Sequence, residues 1–275
     1  MTSLERVERP AAWAEPPALV RFVLDSWTIA EGEMRKLRHD PTEMATRAVQ
    51  PILWLVVFGQ VMAQARAINT GNLGYIDFLA PGILAQSALF AAIFFGIAAI
   101  WERDLGVLHK YLVSPAARSA LVTGKALAGG LRSLVQAAMV YIVAFLMGVH
   151  LRLEPLALVG VAAVVVLGSA AFATFSLVIA CLVRTRERFM GIGQILTMPL
   201  FFASSAVYPI SVMPGWLQVL AHVNPLTYQV DALRELMLTG STPSASTIAL
   251  DFGVLAFATV LLIAIASRLY PRLAQ

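Results

Sequence analysis

The sequence predicts an all-α integral membrane protein: six transmembrane helices with both termini cytoplasmic, an amphipathic interfacial helix ahead of the first span, and extracellular re-entrant helices before the last. Three observations lead there. The 275 residues are 59% hydrophobic and only 13% charged, with a mean hydropathy of +0.78, whereas soluble domains carry about 25% charged residues. Apolar windows free of ionisable residues recur at the length that a bilayer crossing needs, about 20 residues. The basic residues fall almost entirely on alternate connections, as they do where cytoplasmic loops hold the excess of Lys and Arg.

The windows run over Ala48–Ala65, Phe78–Trp101, Ser133–Leu151, Pro155–Val183, Phe189–Val230 and Phe252–Ser267. They place spans at about 46–66, 79–101, 132–150, 156–183, 189–208 and 248–268 within a membrane domain of 46–270. On one side of six spans lie Arg6, Arg9, Arg21, Arg35, Lys36, Arg38 and Arg47, then Arg103, Lys110, Arg118, Lys125 and Arg132. Arg184, Arg186, Arg188, Arg268 and Arg272 join them, which leaves Arg66, Arg152 and Arg234 for the other side. An odd number of crossings would scramble this partition. The first twenty residues mix charges with prolines and lack the apolar core of a secretory signal, so the amino terminus is expected to stay cytoplasmic, as is the short tail 271–275.

Residues 1–45 precede the first span. Within them Leu19, Phe22, Trp27, Ala30, Met34 and Leu37 recur at helical spacing among Arg21, Arg35, Lys36 and Arg38. This pattern fits a helix lying on the cytoplasmic membrane face with its basic residues near anionic headgroups. A helix packed on protein is the alternative, because Glu31 and Glu33 dilute the basic side.

The connection 102–118 carries Leu105, Leu108 and Leu112 at i, i+3 and i+7, flanked by Glu102, Arg103, Asp104 and Lys110 and stopped by Ser114 and Pro115. A two-turn amphipathic helix is marginal alone, so this one is expected to dock on a partner. The fifth window is about twice the length of one crossing. Its span is expected to end near Tyr208, with Pro209, Pro214 and Gly215 breaking the chain. Trp216–Val223 is too short to cross, and Asn224 followed by Pro225 has the form of a helix cap and first turn. Segment 209–240 therefore reads as a broken, re-entrant helical pair, with Tyr208, Trp216 and Tyr228 at headgroup level.

Several chemistries are disfavoured. No Walker phosphate loop or zinc-protease helix occurs, no Gly-x-Ser-x-Gly elbow, and no catalytic residue or metal site is expected. The net charge of +4 comes without a basic run, so nucleic acid is not an expected partner. The lone Cys181 lies in an apolar run and is assigned to packing. No ionisable residue lies deep in a span, which disfavours an ion-driven carrier. Neutral polar residues in the spans, Gln60, Gln64, Gln86, Gln194, Thr197, Ser204 and Ser205, are candidates to line a path for an amphiphile. Bonding between neighbouring helices is the other role open to them.

Glu102-Arg103-Asp104-Leu105-Gly106 leading to Leu112-Val113-Ser114-Pro115, then Pro209 through Pro214-Gly215-Trp216 to Asn224-Pro225-Leu226-Thr227-Tyr228 and Asp231-Ala232-Leu233-Arg234, resemble the permease subunits of ABC type-2 exporters. The branch resembled is that of drug-resistance and nodulation-factor export. The resemblance implies a multi-pass protein of the cell inner (plasma) membrane that pairs with a second copy or a close homologue, and that binds two copies of a cytoplasmic ABC ATPase holding ATP and Mg. By this likeness Glu102, Arg103, Asp104, Leu105, Leu108, Leu112 and Pro115 form the coupling element. Tyr208, Pro209, Pro214, Trp216, Asn224, Pro225 and Tyr228 belong to the re-entrant helices, and the first and fifth spans face each other across the dimer. The implied function is outward movement of an amphiphile (drug, antibiotic, glycolipid or lipid-linked glycan), including multidrug efflux. The alternatives are a secondary transporter and a membrane scaffold or sensor holding a soluble partner.

Overall fold

The computed structural model describes residues 17–37, 46, 49–66, 68, 70–71, 73–106, 116–183, 185–241 and 243–271. Among these, nine helices follow one another: α1 (Ala18–Leu37), α2 (Val49–Ala65), α3 (Tyr75–Asp104), α4 (Arg118–Leu146), α5 (Pro155–Leu182), α6 (Arg186–Phe202), α7 (Gly215–Val223), α8 (Pro225–Met237) and α9 (Ala245–Leu269). A 3₁₀ turn, Ile210–Val212, precedes α7. The described residues contain no strand, only one isolated antiparallel bridge between Leu151 and Leu238.

Four helices, α3, α4, α5 and α9, are long and apolar enough to cross a membrane. The apolar windows also assign spans to α2 and α6, which are shorter. The 17 residues of α6 rise about 26 Å at 1.5 Å per residue, a little less than a hydrocarbon core of about 30 Å. Within α2, Trp54–Phe58 forms a π-helical turn.

At the centre α3 packs on α4 and α5, α9 lies against α5, and α8 fills the angle between α3, α5 and α9. Small residues permit these approaches. Ser176 of α5 accepts the Gly96 amide at 3.1 Å and donates to the Ile93 carbonyl at 2.7 Å, joining α5 to α3. At Gly82 of α3, a Cβ would lie 2.7 Å from the Ala206 carbonyl carbon. Gly82→Val therefore forces α3 away from the turn after α6, at about 1–3 kcal/mol. A lowered thermal midpoint of the detergent-solubilised protein checks this.

Of the helix ends that differ from the predicted spans, two shifts have a clear physical reason. Helix α4 starts at Arg118 rather than near 132, because Lys125 and Arg132, which bound the apolar window, meet carboxylates inside the protein. Helix α6 stops at Phe202 rather than running to Tyr208. The side-chain amide of Asn224 takes the carbonyls of Leu200 and Ala203, two of the groups a helix end leaves unpaired. The predicted break at Pro209, Pro214 and Gly215 and the Asn224 cap are both present: Pro214 precedes α7, and Asn224 Oδ1 accepts the Leu226 amide at 3.0 Å.

Candidate functional site

The candidate site begins where α3 ends. Glu102, Arg103 and Asp104 form the last turn of α3 itself, and Leu105 comes next in a turn, 72% exposed. Their spacing predicts a separate short helix; the apolar run of the second span instead continues in α-helical register through them. Leu108, Leu112 and Pro115 lie outside the described residues.

Glu102 points inward. Lys125 of α4, 3% exposed, donates to Glu102 Oε2 at 2.5 Å and stands 3.7 Å from Glu33 Oε1 of α1. Arg132 adds a 3.5 Å ion pair to Glu33 Oε2 and a 3.2 Å bond to the Glu33 carbonyl. The face of Phe95 lies 5.9 Å from Lys125 Nζ and 5.7 Å from the Arg132 guanidinium, within reach of cation–π attraction. Three helices thus meet in one buried ionic cluster. Helix α1 enters it through Ser26, Ala30 and Glu33, spaced by four and three residues and all buried. Its approach requires Gly124, where a Cβ would come 2.6 Å from the Ser26 carbonyl oxygen. Leu19, Val20, Val23, Leu24 and Trp27 remain exposed on α1. The helix therefore lays one face on protein and turns an apolar face outward. Ala30, expected on the lipid side, is instead 1% exposed against the protein.

Asp104 points outward. Arg186, the first residue of α6, grips Asp104 Oδ2 at 2.7 and 3.0 Å, and Arg103 holds Oδ1 at 3.0 and 3.1 Å. The Arg186 hydrogen bonds first, then those of Arg103, hold the Asp104 carboxyl below its ordinary range, so the ion pair persists into mildly acidic solution. The Arg186 guanidinium also stacks 4.5 Å from the Trp101 ring centroid. The end of α3 is tied to α1 and α4 on one side and to α6 on the other.

The candidate path residues do not converge as a set. Gln60, Gln64 and Gln194 are exposed on α2 and α6. Thr197 and Ser204 spend their hydroxyls on the carbonyls of Gly193 and Phe201, and Ser205 donates to Asp231 at 2.7 Å. Gln86 is buried, and it does line a cavity of about 230 Å³ together with Gln50, Gln136 and Phe90. A second cavity of about 280 Å³ shares Gln50 and Phe90 and is lined by Gln194 and Thr197 as well.

At the other end, Asp231 also pairs with Arg234 at 2.9 Å, and Arg234 donates to the Ser205 carbonyl and lies 4.0 Å from the Phe78 ring centroid. Tyr208 donates to the Phe202 carbonyl and Tyr228 to that of His222, while Trp216 is 68% exposed. Pro209 opens the 3₁₀ turn and Pro225 is the first residue of α8. Backbone bonds from Arg152 to Met237 and from Thr239 to His150 clasp the α4–α5 connection to the chain after α8. Arg152 also donates to the Ser241 carbonyl at 3.1 Å.

Glu33, Lys125, Arg132, Arg186 and Gln50 are site residues that sequence reasoning misses. Each lies far in sequence from its partner, and only the Ser26, Ala30, Glu33 spacing is a readable signal.

Known proteins resemble this chain over most of its length. A transport permease, ycf38, of Cyanophora paradoxa is 28% identical over 218 residues, covering 78% of this chain and 74% of the relative. The daunorubicin resistance ABC transporter permease protein DrrB1 of Streptomyces coeruleorubidus is 25% identical over 223 residues, 81% and 78% respectively. Nodulation protein J of Rhizobium leguminosarum bv. trifolii is 27% identical over 191 residues, 69% and 71%. These relatives match the drug-resistance and nodulation branch that the motifs resemble. They mark a membrane transport permease, multi-pass in view of its apolar helices, and a transport subunit rather than a catalytic enzyme. Residues 25–238, which hold the ionic cluster, the Asp104 clamp and the Asn224 turn, match the family model described as ABC-2 type transporter, and the chain belongs to that family.

Proposed function

We propose that this chain is the permease subunit of an ATP-driven exporter, paired with a second copy and powered by a separate cytoplasmic ATPase that holds ATP and Mg. Six spans, α2, α3, α4, α5, α6 and α9, cross the inner membrane with both ends cytoplasmic. The asymmetry of Lys and Arg supports this orientation. Segment 102–118 seats on the ATPase, and α7 and α8 form the outer re-entrant pair. The faces of α2 (Leu53, Val57, Val61) and α6 (Ile195, Met198) that are exposed among the described residues pair with those of the second copy, and an amphiphile moves outward beside them.

The observation that carries this reading is the double attachment of the α3 end. A push delivered at 102–106 reaches α1 and α4 through Glu102 and α6 through Asp104. The Asp104–Arg186 pair is partly exposed, and ion pairs in contact with water add little to stability, so its loss should uncouple the protein without unfolding it. In proteoliposomes of the permease with its ATPase, Asp104→Ala should lower the rate of ATP-dependent export of a fluorescent amphiphile roughly tenfold, at unchanged membrane insertion. The exchange Asp104→Arg with Arg186→Asp should restore most of it. Export that survived replacement of the whole 102–118 segment would refute the coupling role.

A further inference from the structure

We propose that the cavity between α2, α3 and α4 is a binding site for the hydroxyl-bearing, uncharged headgroup of an amphiphile, with Gln86 as its central hydrogen-bonding residue. The inference deepens the transport reading and rests on it for the fate of the ligand, though not for binding itself.

The cavity holds about 230 Å³ and brings together Gln50 of α2, Gln86 of α3 and Gln136 of α4, with Thr46, Phe90 and Ala91 beside them. Gln86 is only 2% exposed, and its Oε1 is buried with no hydrogen-bond partner among the described residues. Such an oxygen is costly to leave unpaired, and buried polar atoms nearly always find partners. A ligand that brings a donor relieves that cost. Amides carry both donors and acceptors, which matches a hydroxyl group, itself donor and acceptor. Among the described residues the lining offers no ionisable side chain to a charged headgroup. A nucleotide or a quaternary ammonium is therefore a poor occupant, whereas a sugar or polyol fits.

The second cavity fixes where the apolar part goes. It holds about 280 Å³, shares Gln50 and Phe90 with the first, and is walled by Ile93, Ile97, Met190 and Met198. Adjoining amide and aliphatic compartments suit a neutral head and an alkyl tail, the mixture of apolar walls and a few placed polar groups typical of ligand sites. Methionine adds walls that adjust to tails of different shape.

The test uses the full chain in nanodiscs and three probes of similar tail length: n-octyl-β-D-glucoside, octyltrimethylammonium and decanoate, each below its micellar concentration. Equilibrium binding should be saturable for the glucoside and at least tenfold weaker for the two ions. Gln86→Leu should weaken glucoside binding roughly tenfold, the worth of one good hydrogen bond. The same substitution removes an unpaired buried oxygen, so it should leave the thermal midpoint of the unliganded protein unchanged or higher. Gln60→Leu, on the exposed face of α2 and outside both cavities, should leave glucoside binding as it was. Equal binding of all three probes overturns the headgroup class. Unchanged glucoside affinity in Gln86→Leu, or a destabilised protein with unchanged affinity, overturns the site. Binding that matches these expectations in a protein whose ATPase-coupled export is absent would leave the site standing and remove the transport reading instead.

Discussion

Replacing Lys125 by Met is expected to be the most damaging single substitution in this protein, at about 3–5 kcal/mol. Lys125 is 3% exposed and stands between Glu102 of α3 and Glu33 of α1. Taking away the cation strips Glu102 of its Lys125 hydrogen bond and leaves Arg132 to offset Glu33, in a buried place that water screens poorly. Met keeps about the length of the Lys stem but neither its ion pairs nor its cation–π approach to Phe95, so the loss measures charge rather than volume. Unfolding in mixed detergent and dodecyl sulfate micelles reads the cost. The triple variant Lys125→Met, Glu33→Gln, Glu102→Gln should recover more than half of it, because neutral amides no longer repel. In the single variant α1 should also leave its seat on α4, making a cysteine placed at Ser26 reactive to a water-soluble maleimide. A cost below about 1 kcal/mol, the range of exposed ion pairs, would mean that the cluster holds nothing together.

Asn224→Ala is the second large effect, about 2–4 kcal/mol when its separate losses are combined. Asn224 is 5% exposed and makes three bonds at once: Oδ1 accepts the Leu226 amide that starts α8, and Nδ2 donates to Leu200 and Ala203 at the end of α6. Losing an N-cap costs about 0.5–2 kcal/mol, and each carbonyl stranded without water adds about 1 kcal/mol or more. Asn224→Asp separates the two contributions. The carboxylate caps α8 as well as the amide does, yet it presents oxygen to two carbonyl oxygens. It should therefore be no more stable than Asn224→Ala in the same micelle titration. Full rescue by Asp would show that capping alone matters and that the brace to α6 is idle.

Much of this architecture is legible in the residues. Pro209, Pro214 and Gly215 dictate a break because proline lacks an amide donor, and Asn224-Pro225 dictates a helix start; both stand where expected. The apolar windows locate the centres of the long helices. Charge, used as a boundary marker, misjudges the ends: Lys125 and Arg132 look like loop residues until Glu33, about a hundred positions earlier, is seen beside them. No local pattern encodes that meeting. The same limit applies to the polar residues of the spans. Gln60 and Gln86 look alike in sequence, but one is exposed on α2 and the other is buried against α2 and α4. The π-helical turn at Trp54–Phe58 further defeats a fixed 3.6-residue count along α2, since one surplus residue rotates the rest of the helix by about 100°.

The clasp between the α4–α5 connection and the chain after α8 has a mechanical corollary. Amide and carbonyl groups shared between residues 150–152 and 237–241 weld four helix ends into a single slab. A load placed on any one of those ends is therefore shared by all four, and the slab answers it as one rigid piece.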